Sequence, residues 1–163
     1  MGAGGAEPPR GESPHARLAA LGIELPEAPA PAAAYVPWVR SGALVFTAGQ
    51  LPLQGGGLLA TGKLGEQVAL ADGQACARAC AVNVLAQLQA ATGDLARIRR
   101  IVKLTVFVAS EPGFVEQHLV ANGASELLGD VFGDVGSHAR SAVGVASLPL
   151  DAPVEVEAVA EVG

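Results

Sequence analysis

Arg140 is the residue whose neighbours ask for a chemical explanation. It opens the run Arg140-Ser141-Ala142-Val143-Gly144-Val145-Ala146. Side chains alternate along a strand, so Arg140, Ala142, Gly144 and Ala146 share one face, and Ser141, Val143 and Val145 share the other. A guanidinium on a row of the smallest residues has room beside it for a ligand or a close backbone. Its planar fork suits a carboxylate held through two hydrogen bonds. An arginine at a strand end that simply reaches solvent is the other reading, and the local residues leave both open. Glu155 and Glu157 share one face of the run Val154-Glu155-Val156-Glu157-Ala158. Two carboxylates there can hold or activate water. Equally, they can be charges that guard an exposed strand against aggregation. Tyr35, the single tyrosine, can present a hydroxyl to a ligand or pack with a wet tip. Asn122, beside Gly123, can cap, orient or bind.

Other chemistries are excluded by type and spacing. Residues 57–63 read Gly-Leu-Leu-Ala-Thr-Gly-Lys, close to a phosphate-binding loop, but Leu64 stands where Ser or Thr must hold magnesium. Cys76 and Cys80 are the only cysteines. Four apart, they share a helix face as small buried residues, not as a redox pair or a disulfide framework. His15, His118 and His138 are scattered without metal-ligand spacing. His138, just before a strand, reads as a solvated loop histidine. No Ser/His/Asp arrangement is visible in the sequence.

These residues need elements to position them. Ser13-Pro14 opens a short helix that Gly22 ends. Residues 26–34 form a Pro/Ala linker. Residues 35–40 and 43–48 are expected as strands about a Ser41-Gly42 turn, and residues 54–65 as a Gly-rich loop. The period turns helical over residues 70–92, where Cys76, Cys80, Val84 and Leu88 form one row with Ala77, Ala81 and Leu85 beside it. Gly93 is the stop. A strand follows over residues 101–108, with Val102, Leu104, Val106 and Val108 on one face and Lys103 and Thr105 on the other. Ser110-Glu111-Pro112 is expected to start a second helix, with Phe114, Ala121, Leu128 and Phe132 as its apolar stripe. Strands over 140–146 and 154–162 complete the chain. The fold class expected is α+β: two layers, a mixed sheet covered on one face by two helices. The bare sheet face, carrying small apolar residues, is expected to be buried in an oligomer. If the last two strands made a hairpin about Leu150, Arg140 would pair near Ala160. Glu155 would then lie about five residues along the ladder, roughly 17 Å away. Any joint site is therefore expected between subunits.

Composition bounds the function. The chain has 163 residues, of which 50% are hydrophobic, 4% aromatic and 16% charged. That is enough apolar material for one core and little polar surface to display. We expect residues 1–13, rich in Gly, Pro and Glu, to be a disordered tail and residues 14–163 a single domain. The tail has no apolar segment that would make it a secretory signal, and a cytoplasmic location is expected. No uninterrupted apolar run is long enough to span a membrane. A net charge of −6 argues against a nucleic-acid partner.

Taken in order, Tyr35, Thr47-Ala48-Gly49-Gln50-Leu51-Pro52, Lys103-Leu104-Thr105-Val106-Phe107-Val108, Ala139-Arg140-Ser141-Ala142-Val143, Leu148-Pro149 and Val154-Glu155-Val156-Glu157-Ala158 resemble the RidA (YjgF-type) family. This family is also labelled L-PSP endoribonuclease-like, with a chorismate-mutase-like fold. The resemblance implies a homotrimer with clefts between subunits. It implies hydrolysis of reactive 2-enamine and 2-imine acids, such as 2-aminoacrylate, to the 2-keto acid and ammonia, with no cofactor and no metal. It implies Arg140 as the anchor of the substrate carboxylate, Glu155 as holder of the hydrolytic water, and Tyr35, Ala48 and Asn122 as site-lining positions. Ala48 stands where typical members carry Ser. The region before Asn122 is longer by a few residues. A non-catalytic small-ligand module on the same trimer is the alternative, and ribonuclease activity, which the family label suggests, is disfavoured by the charge.

Overall fold

The protein was analysed as a computed structural model that describes residues 11–31 and 33–163. Residues 1–10 of the expected tail lie outside the described residues. Helix α1 (Pro14–Ala20) starts as expected, with the Ser13 hydroxyl accepting from the Ala16 N–H at 3.1 Å and Pro14 in the first turn. Strands β1 (Trp38–Ser41) and β2 (Leu44–Thr47) form the first hairpin, and β3 (Leu53–Gln54) and β4 (Gly57–Leu58) form a separate small ribbon. Then come α2 (Leu70–Thr92), β5 (Ile98–Ala109), α3 (Gln117–Phe132), β6 (Ala139–Val145) and β7 (Val154–Val162).

The main sheet runs β1-β2-β7-β5-β6, antiparallel throughout except for the parallel pair β5–β6. It is a mixed sheet, and α2 and α3 cover one of its faces. The core lies between: Leu104, Val106 and Val108 of β5 and Val154, Val156 and Ala160 of β7 meet Cys80, Val84 and Leu88 of α2 and Leu127 and Leu128 of α3, nearly all without solvent contact. Each such aliphatic side chain contributes about 1.5–3 kcal/mol through burial. Helix α2 has the expected bounds, because both of its expected rows pack and Gly93 closes it at φ 78°.

Several expectations are corrected. Tyr35 lies three residues before β1, because Pro37 has no N–H to give a ladder; only its carbonyl continues the pairing, accepting from Ala48 N–H at 2.8 Å. The Gly-rich loop contains the β3–β4 ribbon, turned by Gly55 and Gly56 at positive φ. Strand β5 has register shifts around Ile98–Arg100 and Ile101–Lys103. The second puts Ile101, not Val102, in the core. Helix α3 starts at Gln117, not at residue 110. Ser110 N–H bonds to the Val145 carbonyl, Glu111 N–H to that of Leu64, and the Ser110 hydroxyl to that of Val108, so this backbone is committed to strand ends and its hydroxyl is no cap. Phe114 packs on the core from that loop, not from the helix.

Two corrections matter most for function. Strands β6 and β7 are not a hairpin, because β5 lies between them. And the small row of β6 does not face the bare side. Arg140, Ala142 and Gly144 stand level with Leu104, Val106 and Val108, on the helix side. A Cβ on Gly144 would run into Gln117 and Ser110, so smallness there makes room for the chain's own helix and loop. The open face instead carries Phe46, Lys103, Thr105, Val143, Glu155, Glu157 and Val159, a mixture of apolar and charged groups. Among the described residues, no helix is long and apolar enough to cross a membrane.

Candidate functional site

Arg140 enters at the start of edge strand β6, and its side chain reaches over the helix face to α3. There it meets three acceptors. Nη1 donates to Asn122 Oδ1 at 2.9 Å and to Ser125 Oγ at 3.1 Å, and Nη2 donates to the His118 carbonyl at 3.0 Å. His118, Asn122 and Ser125 are four and three residues apart, one turn after another on one face of α3. All three acceptors are neutral. No carboxylate answers the guanidinium here, and Nε–H and one Nη2 N–H have no protein partner among the described residues.

The network continues beyond Ser125. Its hydroxyl lies 2.9 Å from His138 Nε2, while His138 Nδ1 lies 2.6 Å from the Gly136 carbonyl. A carbonyl only accepts, so Nδ1–H donates to it, and in that tautomer Nε2 accepts from the Ser125 hydroxyl. The order is then Arg140 to Ser125 to His138 to Gly136, donor to acceptor at each step. A cavity of about 370 Å³ opens on this chain, lined by Ser125, Gly129, Gly136, Ser137, His138 and Arg140. Sequence reasoning missed Ser125 and His138. The available signals were the spacing of three from Asn122 to Ser125 on a helix and the spacing of two from His138 to Arg140 at a strand.

Glu155 occupies the opposite face. It is half-buried on β7, level with Phe107 of β5. The backbone beyond β2 passes directly over it, and a Cβ on Gly49 would collide with the Glu155 side chain, so any larger residue there requires that carboxylate to move. Burial, and secondarily the charge of Glu157, push the Glu155 carboxyl above its usual value of 4.5. The overlying segment is pinned from behind by α2. Gln50 exchanges both backbone hydrogen bonds with Val156. The buried Asn83 amide donates to the Leu51 and Leu53 carbonyls, both at 3.0 Å, and Gln87 donates to Gln50 Oε1 at 3.3 Å. Ala48 sits in this segment, its carbonyl accepting from the Gln50 amide at 3.1 Å. Tyr35 approaches the same end of the sheet, two residues from the Pro37 that bonds to Ala48.

Of the five expected site residues, Arg140 and Asn122 are thus in direct contact, and Ala48 flanks the Gly49 that lies on Glu155. The two groups do not meet within one subunit. Arg140 is level with Leu104, which is level with Ala158. Arg140 and Glu155 are two strand spacings apart, roughly 10 Å, and three residues apart along the strands, roughly 10 Å more, on opposite faces. The hairpin expected from sequence gave the same separation of function for the wrong topological reason.

The remaining candidates are inert. No helix begins at Lys63; its N–H bonds to the Gln67 side chain, and α2 starts at Leu70. Cys76 and Cys80 are buried free thiols. Burial, then Asp72, pushes Cys76 up to about 11, and burial also raises Cys80, so neither supplies a thiolate near neutral pH.

The fold is α+β, a mixed sheet with two helices on one face, and a cleft lined by Ser125, His138 and Arg140 opens at the edge strand β6. The chain belongs to the family described as "YjgF/chorismate_mutase-like, putative endoribonuclease", whose model matches residues 15–162. It is 56% identical over 147 residues to Protein TCP17 of Trypanosoma cruzi, covering 90% of this chain and 92% of that one. The crystal structure of Atu1372 from Agrobacterium tumefaciens, a protein described as of unknown function, superposes with a TM-score of 0.87 at 52% identity, covering 92% of each chain. That of E. coli TdcF with bound serine does so with a TM-score of 0.62 at 30% identity, covering 84% of this chain and 94% of that one.

Proposed function

We propose that the protein hydrolyses small 2-imino and 2-enamino acids to the 2-keto acid and ammonia, without a cofactor. The observation that carries this reading is the state of Arg140. It is fixed by three neutral acceptors, it has no carboxylate of its own among the described residues, two of its donors are unpaired there, and it lines a cavity of about 370 Å³. A substrate carboxylate supplies the missing counter-charge and is bound bidentately. An iminium carbon is already electrophilic, so anchoring and a positioned water suffice. The serine bound by TdcF is an amino acid of the size this cavity admits.

In this reading the chain works as a homotrimer. The open face, with Val39, Phe46 and Val143 exposed, is the surface that meets another copy. Glu155 of one subunit then holds water for a substrate anchored on Arg140 of the next, with Asn122 bracing the arginine and Tyr35 and Ala48 lining the cleft. The separation of Arg140 from Glu155 also favours a second reading, a binding module that keeps Arg140 and does not use Glu155. Ribonuclease chemistry is disfavoured by the net charge of −6.

The test generates 2-aminoacrylate with a dehydratase and measures keto-acid release with the wild type, Arg140→Ala and Glu155→Ala. Acceleration by the wild type that both variants lose supports the deaminase. Acceleration retained by Glu155→Ala removes Glu155 from the reaction. No acceleration by the wild type, with carboxylate ligands still bound, leaves the binding module. An active species that sediments as a monomer overturns the intersubunit site.

A further inference from the structure

His138 has no part in the reading above and Ser125 enters it only as an acceptor from Arg140, yet together they form a directed relay that ends on the substrate anchor. We propose that they are the proton shuttle of the Arg140 site, serving the water and the nitrogen of the bound imino acid. The inference rests on the deaminase reading and adds a general base and acid to it. Four features carry it. His138 is held at both ring nitrogens, with Nδ1 on the Gly136 carbonyl at 2.6 Å, which fixes the tautomer that makes Nε2 a base. Ser125 lies 2.9 Å from that base. Ser125 Oγ also accepts from Arg140 Nη1 at 3.1 Å, and a hydrogen bond from a cation stabilises negative charge developing on that oxygen. The same cavity is lined by all three residues, so a ligand on the guanidinium lies beside the serine.

The steps balance. The substrate carboxylate is held by Arg140, and the iminium carbon is one bond from it. A water proton passes to Ser125 Oγ as the Ser125 proton passes to His138 Nε2. The water oxygen bonds to the iminium carbon, and the C=N π pair moves to nitrogen. This gives the carbinolamine and an imidazolium, the latter stabilised by the Gly136 carbonyl. The imidazolium then returns its proton through Ser125 to the nitrogen. The C–N bond breaks, its electron pair leaves with ammonia, and an oxygen lone pair forms the keto group. The hydroxyl proton departs on the ammonia as ammonium. The relay is left as it began, and every group that moves a proton belongs to the subunit that holds Arg140.

The experiment is steady-state hydrolysis of enzymatically generated 2-aminoacrylate by the wild type, His138→Gln and Ser125→Ala. Thermal melts confirm folding. General acid–base catalysis predicts a kcat lower by about a hundredfold in His138→Gln, with KM changed by less than about threefold. In His138→Gly, added imidazole is expected to restore part of kcat, which a bracing role would not allow. If His138→Gln raises KM with kcat intact, the pair only steadies Arg140 and the relay is wrong. If it changes neither, the relay is equally wrong while the deaminase reading stands. A wild type without acceleration fails the deaminase reading itself, and the relay falls with it.

Discussion

Arg140 and Glu155 sit on one sheet and are held in opposite ways. Arg140 is a cation with three neutral side-chain and backbone acceptors from one helix, at an exposed edge strand beside a cavity. Glu155 is an acid on an inner strand with another acid nearby, roofed by a backbone segment that α2 clamps through Asn83 and Gln87. The first arrangement preserves a charge and leaves it unanswered, which is a binding design. The second raises the cost of a charge, so the carboxyl prefers its proton more than an exposed glutamate does, which suits exchange with water. Since a sheet of closed ladders separates them, cooperation requires a second subunit, or the Arg140 side must supply its own proton chemistry.

Four changes sharpen or break this contrast. Arg140→Ala should have the largest effect, lowering kcat/KM by about a hundredfold, near 2.7 kcal/mol, because in the proposed site it removes the cation that would hold the substrate carboxylate. A loss below tenfold in the coupled assay would show that the anchor lies elsewhere. Gly49→Ala should cost up to about 1–3 kcal/mol of stability in urea unfolding, since the new methyl must displace the Glu155 side chain. Much of that loss should return in Gly49→Ala/Glu155→Ala, and strict additivity would show that the clash is not with Glu155.

Glu155→Gln probes the raised carboxyl. Its value in the folded chain lies above the usual 4.5, so the folded state binds this proton more tightly than the unfolded state. The contribution of Glu155 to stability is full below about 4.5, declines as pH rises through the raised value, and then levels. Glu155→Gln should therefore gain on the wild type in urea midpoint between pH 4 and pH 7. A constant difference across that range would remove the electrostatic account. The smallest effect is expected from Ala48→Ser, which adds one hydroxyl beside the Glu155 roof. KM should fall a few-fold, within the roughly 0.5–1.5 kcal/mol of a neutral hydrogen bond, and an unchanged KM would take residue 48 out of the cleft.

Much of the fold was legible because its signals are local. Helix α2 was readable from two buried rows and a closing glycine, and β7 from the alternation of Val or Ala with Glu, broken only at Val159. Helix α3 was misread at its start because Ser-Glu-Pro is also how a chain leaves a strand, and long-range bonds to Val145 and Leu64 outbid the cap. Within the site, Arg140 stood out by its small neighbours and Asn122 by breaking an apolar helix. Ser125 and His138 did not, because a serine on a helix and a histidine before a strand become a pair only when β6 is laid beside β5. Asn83 and Gln87 were invisible for the same reason: their partners are backbone carbonyls and an amide 30 or more residues away.

By itself the sequence determined which residues carry charge, which faces are apolar and where the chain turns, since periodicity, capping and composition act over a few residues. It thereby settled the two-layer class and selected Arg140 and Glu155. Only the tertiary structure decided that β5 enters between β6 and β7. That single insertion puts Arg140 two strands away from β7 and Glu155, and levels Arg140 with the buried Leu104 on the helix side, because strand order is set by long-range burial and pairing that no local pattern encodes.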